Sequence, residues 1–213
     1  METEMRLAGP DGPQFVLASG SPRRRELLEA CGLRFETRPA EIDESPLAGE
    51  TPEDCVLRLA RAKAAWVRAL RPDLAVLSAD TVVALDGAIL GKPGSLAEAR
   101  DMLGRLSGRV HRVATGFCVL SDRRDAGHMG DVAAVGRSGL VVSRIAFRDL
   151  SQRDIDWYLS LGQSLDKAGA YAIQMEGGFL ADWIDGSYTN IVGLPLRETL
   201  EALYWAIGRP PWR

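Results

Sequence analysis

The stretch LAVLSADTVVALDGAIL, residues 74–90, decides the fold class. Leu74 to Leu85 is a largely apolar, β-rich run, and Asp86-Gly87 is a hairpin signal that leads into Ala88-Ile89-Leu90. It reads as a buried strand followed by a short returning one. It is also the longest apolar stretch in the chain. Asp80 and Asp86 interrupt it, so no segment offers the roughly 18 uninterrupted apolar residues of a membrane-spanning helix.

Outward from this strand, helix and strand signals alternate. QFVLAS (14–19) reads as a buried strand running into Gly20-Ser21-Pro22, where Ser caps and Pro takes the first turn of a helix, RRRELLEAC, closed by Gly32. Thr51-Pro52-Glu53-Asp54 opens a second helix, to about Leu70, with a start of capping-box type. Ser95 starts a third, carrying Met102, Leu103 and Leu106 and ended by Ser107-Gly108. Strands follow over Arg109 to Leu120 and Gly139 to Phe147, separated by a polar, Gly-rich loop from Ser121 to Ser138. Ser151 caps a short helix with Ile155, Tyr158 and Leu159. A turn at Asp166 to Ala170 then precedes a strand pair hinged near Asp185-Gly186, and Leu196 to Ile207 closes as an amphipathic helix. No internal repeat or low-complexity linker is present. The pattern predicts an α/β fold with a mixed sheet: one domain over 14–210, with two lobes, after a disordered extension over 1–13.

Composition narrows the function classes. With 46% hydrophobic and 26% charged residues, the 213-residue chain has the balance of an ordinary globular protein, which excludes disordered, collagenous and disulfide-scaffold classes. Cys31, Cys55 and Cys118 are odd in number and widely spaced, as reduced thiols are. His111 and His128 are the only histidines, too few for a His-rich metal site. A net charge of -3 argues against coating polymeric nucleic acid, so any phosphate binding is local. The N-terminus, METEMRLAGPDGP, has no apolar h-region, and the expected location is the cytoplasm. Of 26 basic residues, 23 are Arg; Lys occurs only at 63, 92 and 167. Such usage either keeps Lys for places that want a compact, strongly hydrated point charge or leaves three by chance, and the context of each decides.

Lys63 lies on the apolar stripe of its helix, with Val56, Leu59, Ala60, Ala64 and Val67, and faces inward. Either its ammonium meets an anion or its stem is buried while the tip snorkels to water. Asp80 interrupts a central strand, where a carboxylate needs a cation, metal or donor; the plainer alternative is a structural pair with an Arg. Lys92, held extended by Pro93, follows the hairpin and returns near the Asp80 strand end, unless it is simply a solvated loop lysine. Glu41-Ile42-Asp43-Glu44 is an acidic loop in which Glu44, with Asp80, can hold a hard divalent cation. The turn Ser19-Gly20-Ser21-Pro22-Arg23-Arg24-Arg25 aims backbone N–H groups and Arg side chains at an anion, without being a Walker A loop.

Together these segments resemble the Maf family of nucleoside triphosphate pyrophosphatases. Leu17 to Arg24 is similar to the family's opening signature, and Glu44 falls at its acidic position after the second strand. Leu59 to Ala64, Ser78 to Val83, Gly91-Lys92-Pro93, Leu106 to Arg109 and Asp166 to Gln174 follow in family order. The resemblance implies a Maf/ITPase-like, elongated mixed sheet with flanking helices and two lobes around a central cleft. It implies cleavage of a nucleoside triphosphate to monophosphate and pyrophosphate, a divalent metal (Mg²⁺ or Mn²⁺) and a homodimer. It assigns Asp80 as proton acceptor or metal-organising carboxylate, with Glu44, Lys63 and Lys92 around the triphosphate.

Arg23, Thr81 and Gln174 are similar to the subgroup acting on dTTP and UTP, as opposed to the one for 7-methyl-GTP. Such a Gln amide accepts from uracil N3–H and donates to a carbonyl, while an Arg donor favours O4 over an amino group. Gln174 otherwise reads as a strand amide bonded to backbone. Two other functions fit the same residues: a nucleotide-binding regulator of septum formation that does not turn over its ligand, and a pyrophosphatase for a purine or modified nucleotide.

Overall fold

The computed structural model describes residues 12–121 and 135–211. Strand β3 (Ala75–Leu85) is its spine, and the reason is visible in its composition. Nine of its eleven residues are buried, because helices cover both faces of the sheet there. On its other faces and edges stand β1 (Phe15–Leu17), α1 (Pro22–Ala30), β2 (Phe35–Thr37), α2 (Pro52–Leu70), β4 (Ala88–Leu90), α3 (Leu96–Leu106), β5 (Val110–Ser121) and β6 (Val135–Phe147). Next come α4 (Gln152–Ser160), two 3₁₀ turns, β7 (Ala181–Asp185), α5 (Tyr188–Val192) and α6 (Leu196–Ile207). The sheet order is β2-β1-β3-β5-β6-β7, with β4 also on β3. β1 is parallel to β2 and β3, and the other pairings are antiparallel. The predicted α/β class with a mixed sheet and flanking helices is therefore what the chain adopts.

One consequence of register makes the site. β5 covers one edge of β3 from Val76 to Ala84. β1 pairs with the other edge only at residues 75–77, and β4 only at 83–85. Between them residues 78–82 have no strand neighbour on that edge, and Asp80 is at the centre of the gap. The apolar core divides at the same place. Leu17, Leu77 and Leu203 belong to one cluster, and Val83, Leu103 and Phe147 to another.

Four local readings are corrected. β6 starts at Val135, not Gly139, because backbone pairing continues to Ser121↔Val135 beyond the apolar pattern. The remainder of that expected loop, residues 122–134 with His128, lies outside the described residues, as do residues 1–11 of the N-terminal extension. No strand pair hinges at Gly186: β7 is single and is followed by α5, whose start Ser187 caps by accepting from Asn190 N. The expected turn at Asp166 to Ala170 is present, with Gly169 and Ala170 both left-handed, but the stretch between it and β7 holds a second 3₁₀ turn, Met175–Leu180, where a strand was expected. Ser21 is at the N-cap of α1 but makes no side-chain cap bond; its N–H donates to Ser19 Oγ. β2, a three-residue edge strand, has too little pattern to be read from sequence.

Candidate active site

The gap in β3 opens into a cleft of about 810 Å³, within the roughly 300–1,000 Å³ of small-ligand sites. Its central contact is between α2 and β3. Gly116 pairs with Asp80 across β5, and a Cβ there would stand 2.5 Å from Val56 O, so glycine lets the α2 backbone press against the sheet. Two helical turns after Val56, Lys63 is delivered to the strand. Its Nζ is 2.6 Å from Asp80 Oδ1 and 2.8 Å from Glu44 Oε2. Lys63 and Asp80 are buried, whereas Glu44 is exposed. Thus the inward lysine does meet anions, and the partner of Asp80 is Lys63, not a structural arginine.

The loop that carries Glu44 is tethered from α2. Arg58 Nε donates to Glu50 Oε1 at 2.6 Å and Nη2 to Ser45 O at 3.1 Å. The same Arg58 contact, with the Leu47 N–H, holds the Glu50 carboxyl down to about 2. Sequence reading passed over this pair because both residues look like ordinary exposed charges.

On the opposite wall, Gly169 N donates to Gly91 O at 3.0 Å, which stitches the Lys167 turn to the Lys92 loop. Lys167 Nζ is 2.6 Å from Asp166 Oδ1, and Arg23 Nη1 is 3.9 Å from Asp166 Oδ2. Burial, which opposes ionisation of Asp166, is outweighed by the Lys167 hydrogen bond and charge, so its carboxyl titrates below the ordinary value. All three lysines of the chain line this one cleft. Local pattern assigns Lys167 no role, and the signal for it is the rarity of lysine itself.

All nine candidate residues, Ser19, Ser21, Arg23, Glu44, Lys63, Asp80, Thr81, Lys92 and Gln174, line the cleft. They present different groups to it. Ser19 Oγ accepts from Ser21 N and from Arg24 Nη1, which leaves its O–H to donate. Thr81 Oγ1 is instead engaged by Arg24 Nη2 at 2.9 Å and by Thr115 Oγ1 at 2.9 Å, within the protein. Gln174 is not on a strand: it precedes a 3₁₀ turn, and its side-chain amide makes no hydrogen bond among the described residues. Five cationic side chains, Arg23, Arg24, Lys63, Lys92 and Lys167, face three carboxylates, Glu44, Asp80 and Asp166. In a chain of net charge -3, this is a local basic focus suited to a polyanion.

A family model described as Maf-like protein matches residues 14–206. The chain belongs to the Maf family. Relatives of similar length agree with this. The chain is 50% identical over 200 residues to the dTTP/UTP pyrophosphatase of Anaeromyxobacter dehalogenans (strain 2CP-1 / ATCC BAA-258), covering 94% of this chain and 97% of that protein. It is 50% identical over 207 residues to that of Myxococcus xanthus (strain DK1622), covering 95% and 97%. It is 46% identical over 190 residues to that of Syntrophus aciditrophicus (strain SB), covering 89% and 88%. No helix among the described residues of this Maf protein is long and apolar enough to cross a membrane.

Proposed function

We propose that this Maf protein hydrolyses a nucleoside triphosphate, dTTP or UTP, at the α-phosphorus, giving nucleoside monophosphate and pyrophosphate in a house-cleaning role in the nucleotide pool. One observation carries the reading: a buried carboxylate on an open strand edge shares a single cleft with the only three lysines of the chain. Lys63 engages Asp80 Oδ1, which leaves Oδ2 to accept a proton from water and aim its oxygen at phosphorus. The bond between the α-phosphorus and the α–β bridging oxygen breaks as the water oxygen attaches. Lys63, Lys92 and Lys167 neutralise the departing pyrophosphate. Ser19 O–H and the uncapped amides at the start of α1 bind the remaining oxygens.

No cluster of three or more metal-ligating side chains occurs among the described residues. Glu44 and Asp80 nevertheless bracket one cation already, the Lys63 ammonium. Two carboxylates completed by phosphate oxygens are a donor set that suits Mg²⁺ or Mn²⁺. When bound, the ion would supply charge neutralisation at the phosphates. Gln174, with its amide free toward the cleft, and Arg23 are assigned to the uracil edge. We place the enzyme in the cytoplasm, where its free Cys31, Cys55 and Cys118 stay reduced.

The test is turnover of dTTP, UTP, CTP, GTP and 7-methyl-GTP with Mg²⁺, with pyrophosphate resolved from orthophosphate. Pyrophosphate from dTTP and UTP, lost in Asp80→Asn, is the expected result. Nucleotide binding without product would favour the septation regulator, and preference for 7-methyl-GTP the modified-nucleotide enzyme. A Gln174→Glu variant that keeps the uracil preference would remove the base-reading role.

A further inference from the structure

Arg24 is a buried charged side chain to which the reaction proposed above gives no part. Its guanidinium is buried, makes no ion pair among the described residues, and is held by four hydrogen bonds to three segments. Nη1 donates to Ala79 O at 2.7 Å and Ser19 Oγ at 3.0 Å, Nη2 to Thr81 Oγ1 at 2.9 Å, and Nε to Gly193 O at 2.8 Å. One residue past β1, Ala18 N bonds this edge at Leu77 O, and Arg24 bonds the next carbonyl along, Ala79 O. Hydrogen bonding continues past it: Thr81 Oγ1 accepts from Arg24 Nη2, and its own hydroxyl lies 2.9 Å from Thr115 Oγ1 and 3.3 Å from Gly193 O.

We infer that Arg24 is a positioning residue: it replaces the missing strand neighbour along the open edge of β3, and with Thr81 it locks Asp80 against the turn at Ser19 and the cleft wall at Gly193. Both neighbours of Asp80 are gripped, so its carboxylate keeps one place while phosphate and water exchange beside it. Four of the five guanidinium N–H groups are already engaged, which separates Arg24 from Arg23, whose charge stands half-buried in the cleft. Lysine cannot substitute, since one ammonium does not reach acceptors on three segments in a plane. Thr81 on this view shapes the site from behind and does not touch the base.

The inference rests on the triphosphate reading, and its test separates the two. In Arg24→Ala, kcat for dTTP falls about 100-fold with KM changed less than about threefold, as for a displaced catalytic group. Guanidinium ion restores at least tenfold of that loss, whereas Arg24→Lys stays impaired. Thr81→Val, which keeps the shape, lowers kcat about tenfold at unchanged KM. A tenfold rise in KM at constant kcat in either variant, or full activity in Arg24→Lys, would overturn the assignment. Should the wild type turn over no triphosphate, amide exchange decides instead. Faster exchange at residues 79–82 and 193–194 in both variants supports the clamp, and unchanged exchange rejects it.

Discussion

Replacing Lys63 by Met removes the ammonium from between Asp80 and Glu44 but keeps the apolar stem on the buried face of α2. At 2.6 Å and an effective dielectric of about 20, the Lys63–Asp80 attraction is about 6 kcal/mol before either group's desolvation is counted. The variant loses this attraction but no longer buries an ammonium, and breaking a buried pair from one side typically costs about 3–5 kcal/mol. Glu44 is exposed enough to return to water, which places the expected loss near the lower bound, about 3 kcal/mol. For a chain of this size that corresponds to about 6–12 °C in Tm. The penalty belongs to an uncompensated Asp80 charge, so Lys63→Met/Asp80→Asn recovers more than half of it. Urea unfolding of the wild type, both single variants and the double variant at pH 7.5 completes the cycle. If the single effects add to within about 0.5 kcal/mol, the two groups are not a coupled buried pair and the argument from Lys63 fails.

Two further perturbations test how the fold supports the site. Gly116→Ala puts a methyl against the Val56 backbone, and we expect a loss of about 1–3 kcal/mol together with a fall in kcat as α2 and Lys63 move away from Asp80; wild-type stability and turnover would show that the close approach is unnecessary. His111 is fully buried beside Phe147 and Tyr171, and burial depresses its imidazole from the ordinary 6.5 to about 4. Because the unfolded chain takes up this proton first, stability from neutral His111 is complete above pH 6.5 and is lost as pH falls toward 4, by about 3 kcal/mol in total. Chemical denaturation across this window is predicted to show a shallower acid decline for His111→Phe than for the wild type, and an identical decline would assign the effect elsewhere.

Much of this was legible because burial cost marks residues that local pattern cannot explain. Lys63 on an apolar helix stripe and Asp80 inside an apolar strand are each expensive alone, and the structure puts their side chains in contact. The hairpin, the caps and the helices of strong 3.6 periodicity were readable from local chemistry. Tertiary facts were not. Arg24 resembles its neighbours Arg23 and Arg25 in sequence, and only the early departure of β1 from β3 explains why the middle one turns inward. Gly116 carries no signal without knowing that it pairs with Asp80. The Met175–Leu180 region misled because its apolar residues suggest a strand, while left-handed Ala170 and Met175 bend the backbone into turns.

Hydrolysis of dTTP in ¹⁸O-labelled water with Mg²⁺, read by mass spectrometry of both products, tests the central claim most directly. The geometry around Asp80 predicts dTMP carrying one ¹⁸O and unlabelled pyrophosphate. Label in the pyrophosphate, or orthophosphate as the first product, would contradict attack at the α-phosphorus.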